Sequence, residues 1–305
     1  MDRKTFLQVA SLLPWGGSTL LDGSALLDGS DRADEPVPRA AALKLSCNLY
    51  SFNEPLTSGA MTLEEVLKFC SDLGFAAVDP TGYYFPGYPR RPTAEYVNHI
   101  KQRAFLLGLD ISGTGVRNDF ITDDEKERRA EMRHVKRWVE AAAQLGAPVL
   151  RVFARRGIPE GHSREEATAW LVESLRECAA YGKRYGVMVA LQNHAEFLKT
   201  AAQVEEVLQR ADSDWLGLIL DIGSLGGSDP YEEIATLAPY AVSWQIKEQV
   251  TVEGEKVKTD LDRVVGIVKE SGYRGYLPIE TLGPGAPRKQ VPRFLAEVRR
   301  ALASG

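Results

Sequence analysis

From Leu43 to the C-terminus the chain alternates two patterns in a steady rhythm. Short apolar runs of β type fall at 43–50, 75–79, 108–113, 148–154, 187–193, 215–221, 240–247 and 275–281. Charged segments with helical periodicity follow them, near 62–73, 93–107, 123–145, 164–185, 201–211, 230–238, 260–270 and 288–302. Strands alternating with helices predict a parallel sheet. Helix starts are marked by Thr62-x-x-Glu65, Thr122-x-x-Glu125, Ser163-x-x-Glu166, Thr200-x-x-Gln203 and Asp229-Pro230-x-Glu232. In each, the first side chain can accept an orphan amide while the later one reaches back. Helix ends are marked by Leu73-Gly74, Leu145-Gly146, Tyr185-Gly186 and Ser271-Gly272, where glycine suits the left-handed cap.

Eight such units over residues 41–305 predict one (β/α)8 TIM barrel, a fold for which about 250 residues is typical. A doubly wound open sheet usually carries a glycine-rich phosphate loop after its first strand. Here the first run leads into Asn48-Leu49-Tyr50-Ser51-Phe52-Asn53, which has no glycine. The barrel is the better reading.

Composition then narrows the function classes. The chain has 305 residues, 44% hydrophobic and 26% charged, as ordinary globular proteins do. No run approaches the ~20 apolar residues of a membrane helix. A net charge of −5 gives no basic footprint for nucleic acid. Cys47, Cys70 and Cys178 lack metal-type spacing, and their odd number argues against a disulfide framework. Residues 1–40 read as a separate arm and linker. Arg3-Lys4 followed by Phe6-Leu7 resembles a twin-arginine export leader with lysine for the second arginine, which implies a periplasmic protein. Pro14, Trp15 and Gly16-Gly17 break the apolar stretch behind it, and a cytoplasmic arm is the alternative.

The candidate chemistry lies at the ends of the last four runs. They finish in Leu191-Gln192-Asn193-His194, Leu220-Asp221-Ile222-Gly223, Ser243-Trp244-Gln245-Ile246-Lys247-Glu248 and Leu277-Pro278-Ile279-Glu280-Thr281. Catalytic groups of a barrel sit at the strands' carboxyl ends, and strand alternation sorts which side chains face inward. Val189, Leu191, Leu218, Leu220, Val242, Trp244, Ile246, Leu277 and Ile279 are expected to face the helices. Gln192, His194, Asp221, Gln245, Lys247 and Glu280 are expected to face the interior, gathered at one mouth.

These motifs resemble the xylose-isomerase-like barrel superfamily, the sugar phosphate isomerase/epimerase group, over roughly residues 43–302. In the family's epimerases a Glu, an Asp, a His and a Glu on the last four strands hold one divalent metal, and the two glutamates exchange protons with the substrate carbon. Carried over by position, the resemblance implies a metal set of Gln192, Asp221, Gln245 and Glu280, with Mn, Mg or a similar hard cation. It also implies a sugar substrate, no organic cofactor and a homodimer. Two positions depart from the pattern. Gln192 and Gln245 offer neutral amide oxygens, which weakens attraction for a cation. Gln192 also cannot act as a base, so Glu280 alone remains of the proton-exchanging pair.

His194, whose imidazole can both accept and donate a proton, and Lys247 are the candidates to complete the catalytic set with Glu280. Asn48, Tyr50, Tyr83, Arg151 and Glu248 are candidates for substrate contact. Tyr83-Tyr84-Phe85 reads as an aromatic wall. Arg155 and Arg156 read as solvated surface. The implied activity is isomerisation or epimerisation of a keto- or aldo-sugar through an enediolate. Two alternatives stay open: a lyase cleaving 3-oxo-glycosides by elimination, and a non-catalytic sugar-binding barrel. An endonuclease IV-like repair role is excluded by only four histidines, of which His194 alone ends a strand.

Overall fold

The computed structural model describes residues 43–154, 157–194, 197–283 and 285–304. The expected leader and linker, and Arg155 and Arg156, lie outside the described residues. The strands in chain order are β1 (Lys44–Asn48), β2 (Ala77–Asp79), β3 (Asp110–Ile111), β4 (Thr114–Gly115), β5 (Val149–Phe153), β6 (Met188–Gln192), β7 (Leu216–Asp221), β8 (Ala241–Lys247), β9 (Gln249–Val252), β10 (Glu255–Lys258) and β11 (Tyr276–Glu280). Nine of them form one sheet in the order β3-β2-β1-β11-β8-β7-β6-β5-β4. Every pairing in it is parallel.

The two end strands are halves of a single run. β3 pairs with β2 and β4 pairs with β5, so Ser112-Gly113 is where the sheet closes. The amide of Ser112 still donates to Val78 O at 2.9 Å, while that of Val116 donates to Arg151 O at 3.1 Å. The chain thus passes its hydrogen bonds from one neighbour to the other. The expected eight-staved barrel is present, with its third stave split.

The connecting helices are α1 (Asn53–Ser58), α2 (Leu63–Asp72), α3 (Ala94–Leu106), α4 (Glu125–Leu145), α5 (Arg164–Tyr185), α6 (Ala201–Ala211), α7 (Pro230–Leu237), α8 (Leu261–Glu270) and α9 (Pro287–Ser304). Thr62/Glu65 and Ser163/Glu166 form full capping boxes on α2 and α5. Thr200 and Asp229 cap α6 and α7. The expected Thr122/Glu125 box does not form. Asp124 caps α4 instead, because its carboxylate reaches the amides of Lys126 and Glu127. Gly146 and Gly186 end α4 and α5 in the left-handed conformation. No helix among the described residues is long and apolar enough to cross a membrane. The three cysteines are free and buried.

Two apolar layers flank the strands, since a parallel barrel is covered on both faces. Val189, Leu191, Leu218, Leu220, Trp244, Ile246, Leu277 and Ile279 join the large core under the helices. A smaller cluster fills the barrel floor with Val149, Ala190 and Ile219. Val242 packs there too, against the alternation expected for β8. The reason is a bulge: Leu218 pairs with Ala241 but Ile219 pairs with Ser243, so Val242 is an extra residue. A bulge shifts the side-chain phase by one. Above it, Gln245 pairs with Asp221 and Lys247 with Glu280, at the carboxyl ends.

One element was not expected. Directly after β8 the chain turns into the antiparallel β9–β10 hairpin at the mouth. Its turn residues Glu253 and Gly254 both have positive φ, 51° and 88°, as a type I′ turn requires.

Candidate active site at the barrel mouth

The four strand-end positions converge, and most of their polar atoms are joined to one another. Gln192 donates from Nε2 to Asp221 Oδ2 at 2.7 Å and to Gln245 Oε1 at 2.8 Å. Its Oε1 accepts from Arg151 Nη1 at 2.8 Å. Because a guanidinium can only donate, this contact fixes which end of the amide is oxygen. Asp221 Oδ2 also accepts from Ser224 Oγ at 2.9 Å, and Oδ1 accepts the Gly223 amide at 3.0 Å. Lys247 reaches into the centre, with Nζ 2.8 Å from Asp221 Oδ2 and 3.1 Å from Glu280 Oε2.

The two carboxylates are placed very differently. Asp221 is fully buried and surrounded by donors. Glu280 is 4% exposed, yet its Oε2 has no aligned hydrogen bond among the described residues, only the ion-pair contact with Lys247. Burial alone would raise the Asp221 carboxyl, but the Lys247 charge and the hydrogen bonds outweigh it and hold Asp221 below its usual range. Burial alone would likewise depress Lys247, and Asp221 with Glu280 outweighs it, keeping the ammonium charged. The pair is therefore ionised together.

The surrounding space has two lobes that share His194, Lys247, Glu280 and Leu282. The smaller, about 480 Å³, is bordered by Tyr50, Tyr83, Phe153, Arg117 and Arg151. The larger, about 640 Å³, is bordered by Glu248, the Gly223–Gly226 loop and the hairpin residues Thr251 and Lys256. His194 sits edge-on to Phe153, with centroids 5.6 Å apart. Tyr83 accepts from Arg151 Nη2 at 2.6 Å through its hydroxyl, and Arg117 stacks on its ring at 4.4 Å.

Of the expected substrate contacts, Tyr50, Tyr83, Arg151 and Glu248 border this space. Asn48 does not. It is buried, and its Oδ1 caps the turn that follows β1 by accepting the Tyr50 amide at 2.9 Å. The aromatic wall is also differently composed. Phe85 turns into the core against Trp138, and Tyr84 donates to Asn53, so Tyr83 is joined by Tyr50 and Phe153 instead.

Several residues in or beneath the site carry no motif in the sequence. Asp79, at the end of β2, is buried, and burial pushes its carboxyl up to about 6 despite the pull of Arg151. Arg117 follows the split stave and sits on no long apolar run. Ser224 and Lys256 become visible only through the fold, although the alternation Val250-Thr251-Val252-Glu253-Gly254-Glu255-Lys256-Val257 is a hairpin signal.

The divalent cation implied for these positions can be tested against the donor set. Gln192 turns its amide nitrogen inward, and nitrogen bearing two hydrogens is no ligand. Gln245 Oε1 and Asp221 Oδ2 already accept hydrogen bonds, and the ammonium of Lys247 lies between the carboxylates. Among the described residues no group of three or more His, Cys, Asp or Glu side chains gathers as a metal shell. The residues present do not fit a divalent cation.

A parallel barrel with a charged, ligand-sized mouth defines the class of protein. The family model for xylose isomerase-like TIM barrels matches residues 67–299, and the chain belongs to that family. It is 24% identical over 251 residues to an inosose isomerase of Halalkalibacterium halodurans, covering 76% of this chain and 87% of the relative. The fold superposes on 3-keto-D-glucoside 4-epimerase from E. coli with a TM-score of 0.68 at 16% identity, covering 85% of this chain and 99% of that one. It superposes on D-psicose 3-epimerase from Clostridium cellulolyticum H10 with a TM-score of 0.69 at 14% identity, covering 85% and 99%. Other barrels of this fold were crystallised with zinc, at a TM-score of 0.66 and 18% identity, or with magnesium, at 0.62 and 17%.

Proposed function

We propose that the chain is a carbohydrate isomerase or epimerase that removes a proton from the carbon beside a carbonyl of a keto- or aldo-sugar. The observation that carries this reading is Glu280: a buried carboxylate, open to both lobes, whose Oε2 lacks an aligned donor. A buried charge with an open acceptor is costly unless it has a use, and accepting a carbon-bound proton is such a use. Family membership and an inosose isomerase as a relative point to the same reaction class.

In this scheme Glu280 takes the proton, the electron pair of the broken C–H bond forms the C=C bond of the enediolate, and the carbonyl π pair moves onto oxygen. The enediolate charge develops beside Lys247, where one fixed donor is worth about 10²–10³ in rate. His194 borders the same space and returns or relays a proton during collapse. Tyr50, Tyr83 and Phe153 supply flat apolar faces for a sugar ring.

Elimination from a 3-oxo-glycoside is not favoured, since the relatives above are named for isomerisation and epimerisation. A purely sugar-binding barrel would leave Glu280 and Lys247 buried without a task. The test is proton NMR in heavy water with a panel of keto-sugars, aldo-sugars and inososes. Deuterium should enter beside the carbonyl of at least one of them, and Glu280→Gln should stop it. No exchange across the panel overturns the reading.

A further inference from the structure

We propose that Lys247 is the resident cation of this site, occupying the centre of the converging strand ends in place of a divalent metal. Three independent features build that position. The ammonium touches both carboxylates, at 2.8 and 3.1 Å, as a bridging cation would. Gln192 is locked by Arg151 with its amide nitrogen toward Asp221, so this wall of the site presents hydrogens rather than lone pairs. Turning the amide over would break its bonds to Arg151, Asp221 and Gln245 together.

The third feature is steric. A Cβ at position 223 would meet Lys247 Cδ at 2.9 Å and Gln249 O at 3.0 Å. Glycine there leaves the channel through which the lysine stem reaches inward. The same Gly223 donates its amide to Asp221, so the loop admits the stem and holds its partner.

Charge follows the same logic. The ligand set implied by the resemblance has three carboxylates, which around a divalent ion leave one net negative charge. Two carboxylates around one ammonium leave the same. Gln192 in place of an acid is what a monovalent cation requires. An ammonium has three donors, and the one hydrogen-bonded to Asp221 leaves others free for a ligand oxygen. The proposal deepens the isomerase reading by naming the group that would polarise the sugar carbonyl.

The experiment is a manganese titration of the chelator-treated full chain, followed by electron paramagnetic resonance, with no sugar present. Wild type should take up no stoichiometric Mn²⁺. The folded double variant Gln192→Glu/Lys247→Ala should take up one equivalent, at least about tenfold more tightly than wild type, since each added carboxylate strengthens a hard-cation site. Circular dichroism checks the fold. If the double variant does not fold, Gln192→Glu/Lys247→Gln is titrated instead, with the same gain expected. One equivalent bound by wild type overturns the proposal, and so does a folded variant that gains no site. Because the readout needs no turnover, a failed search for an isomerised sugar leaves it standing, and metal uptake by wild type leaves Glu280 free to be the base.

Discussion

At the mouth, the ends of β6, β7, β8 and β11 carry Gln192, Asp221, Gln245, Lys247 and Glu280, whereas the ends of β1, β2 and β5 carry Asn48, Asp79 and Phe153. In the first half the polar groups hydrogen-bond one another at 2.7–3.0 Å, leaving Glu280 Oε2 with an ion-pair contact but no aligned donor. In the second half Asn48 is occupied below the surface and aromatic rings shape the wall. Arg151 ties the halves together by bonding Gln192 on one side and Tyr83 on the other. Charge and shape are thus assigned to opposite sides of one barrel. Chemistry should be sensitive on the first side and binding on the second.

The largest break should come at Glu280. Replacing it with Gln should lower kcat by about 10³-fold with the thermal midpoint little changed, because a general base contributes about 10²–10⁴. Steady-state kinetics with circular dichroism checks this. Gly223→Ala should follow, lowering kcat about 10–100-fold by pushing the Lys247 stem aside, as expected when a catalytic group is misplaced by an ångström.

Asp79 sharpens the comparison by its pH dependence. Its folded pKa, about 6, lies above the ordinary 3.8. The protonated form therefore stabilises the fold fully at acid pH, and that contribution is lost as pH rises through about 6. Asp79→Asn should remove the loss, so that between about pH 4 and pH 7 wild type should lose on the order of 1–3 kcal/mol more than the variant. Denaturant unfolding at both values checks it, and equal losses would contradict the burial argument. The smallest effect is expected from Tyr83→Phe. It deletes one hydrogen bond to Arg151, and should raise KM a few-fold, about 1 kcal/mol, with kcat nearly intact.

Periodicity made the barrel legible, because buried parallel strands and amphipathic helices write different repeats into the chain. It also indicated that 192, 221, 245 and 280 would meet, since alternation and strand order alone decide which face points inward. What it could not convey was torsion. Whether Gln192 shows oxygen or nitrogen depends on Arg151, one strand away, and the inward bend of Lys247 depends on the missing Cβ at 223. Asp79 escaped notice because β2 is three residues long and followed by Pro80, too short to display a period. Val242 was misassigned because a single inserted residue resets the alternation without altering composition.

That inserted residue separates floor from rim. Below Val242, β8 follows the spacing demanded by the barrel's interior filling; above it, the strand keeps a second spacing that aims Gln245 and Lys247 into the cavity. The floor can therefore be repacked without rotating the ammonium out of place, much as a vernier lets two scales run at different settings on one rod.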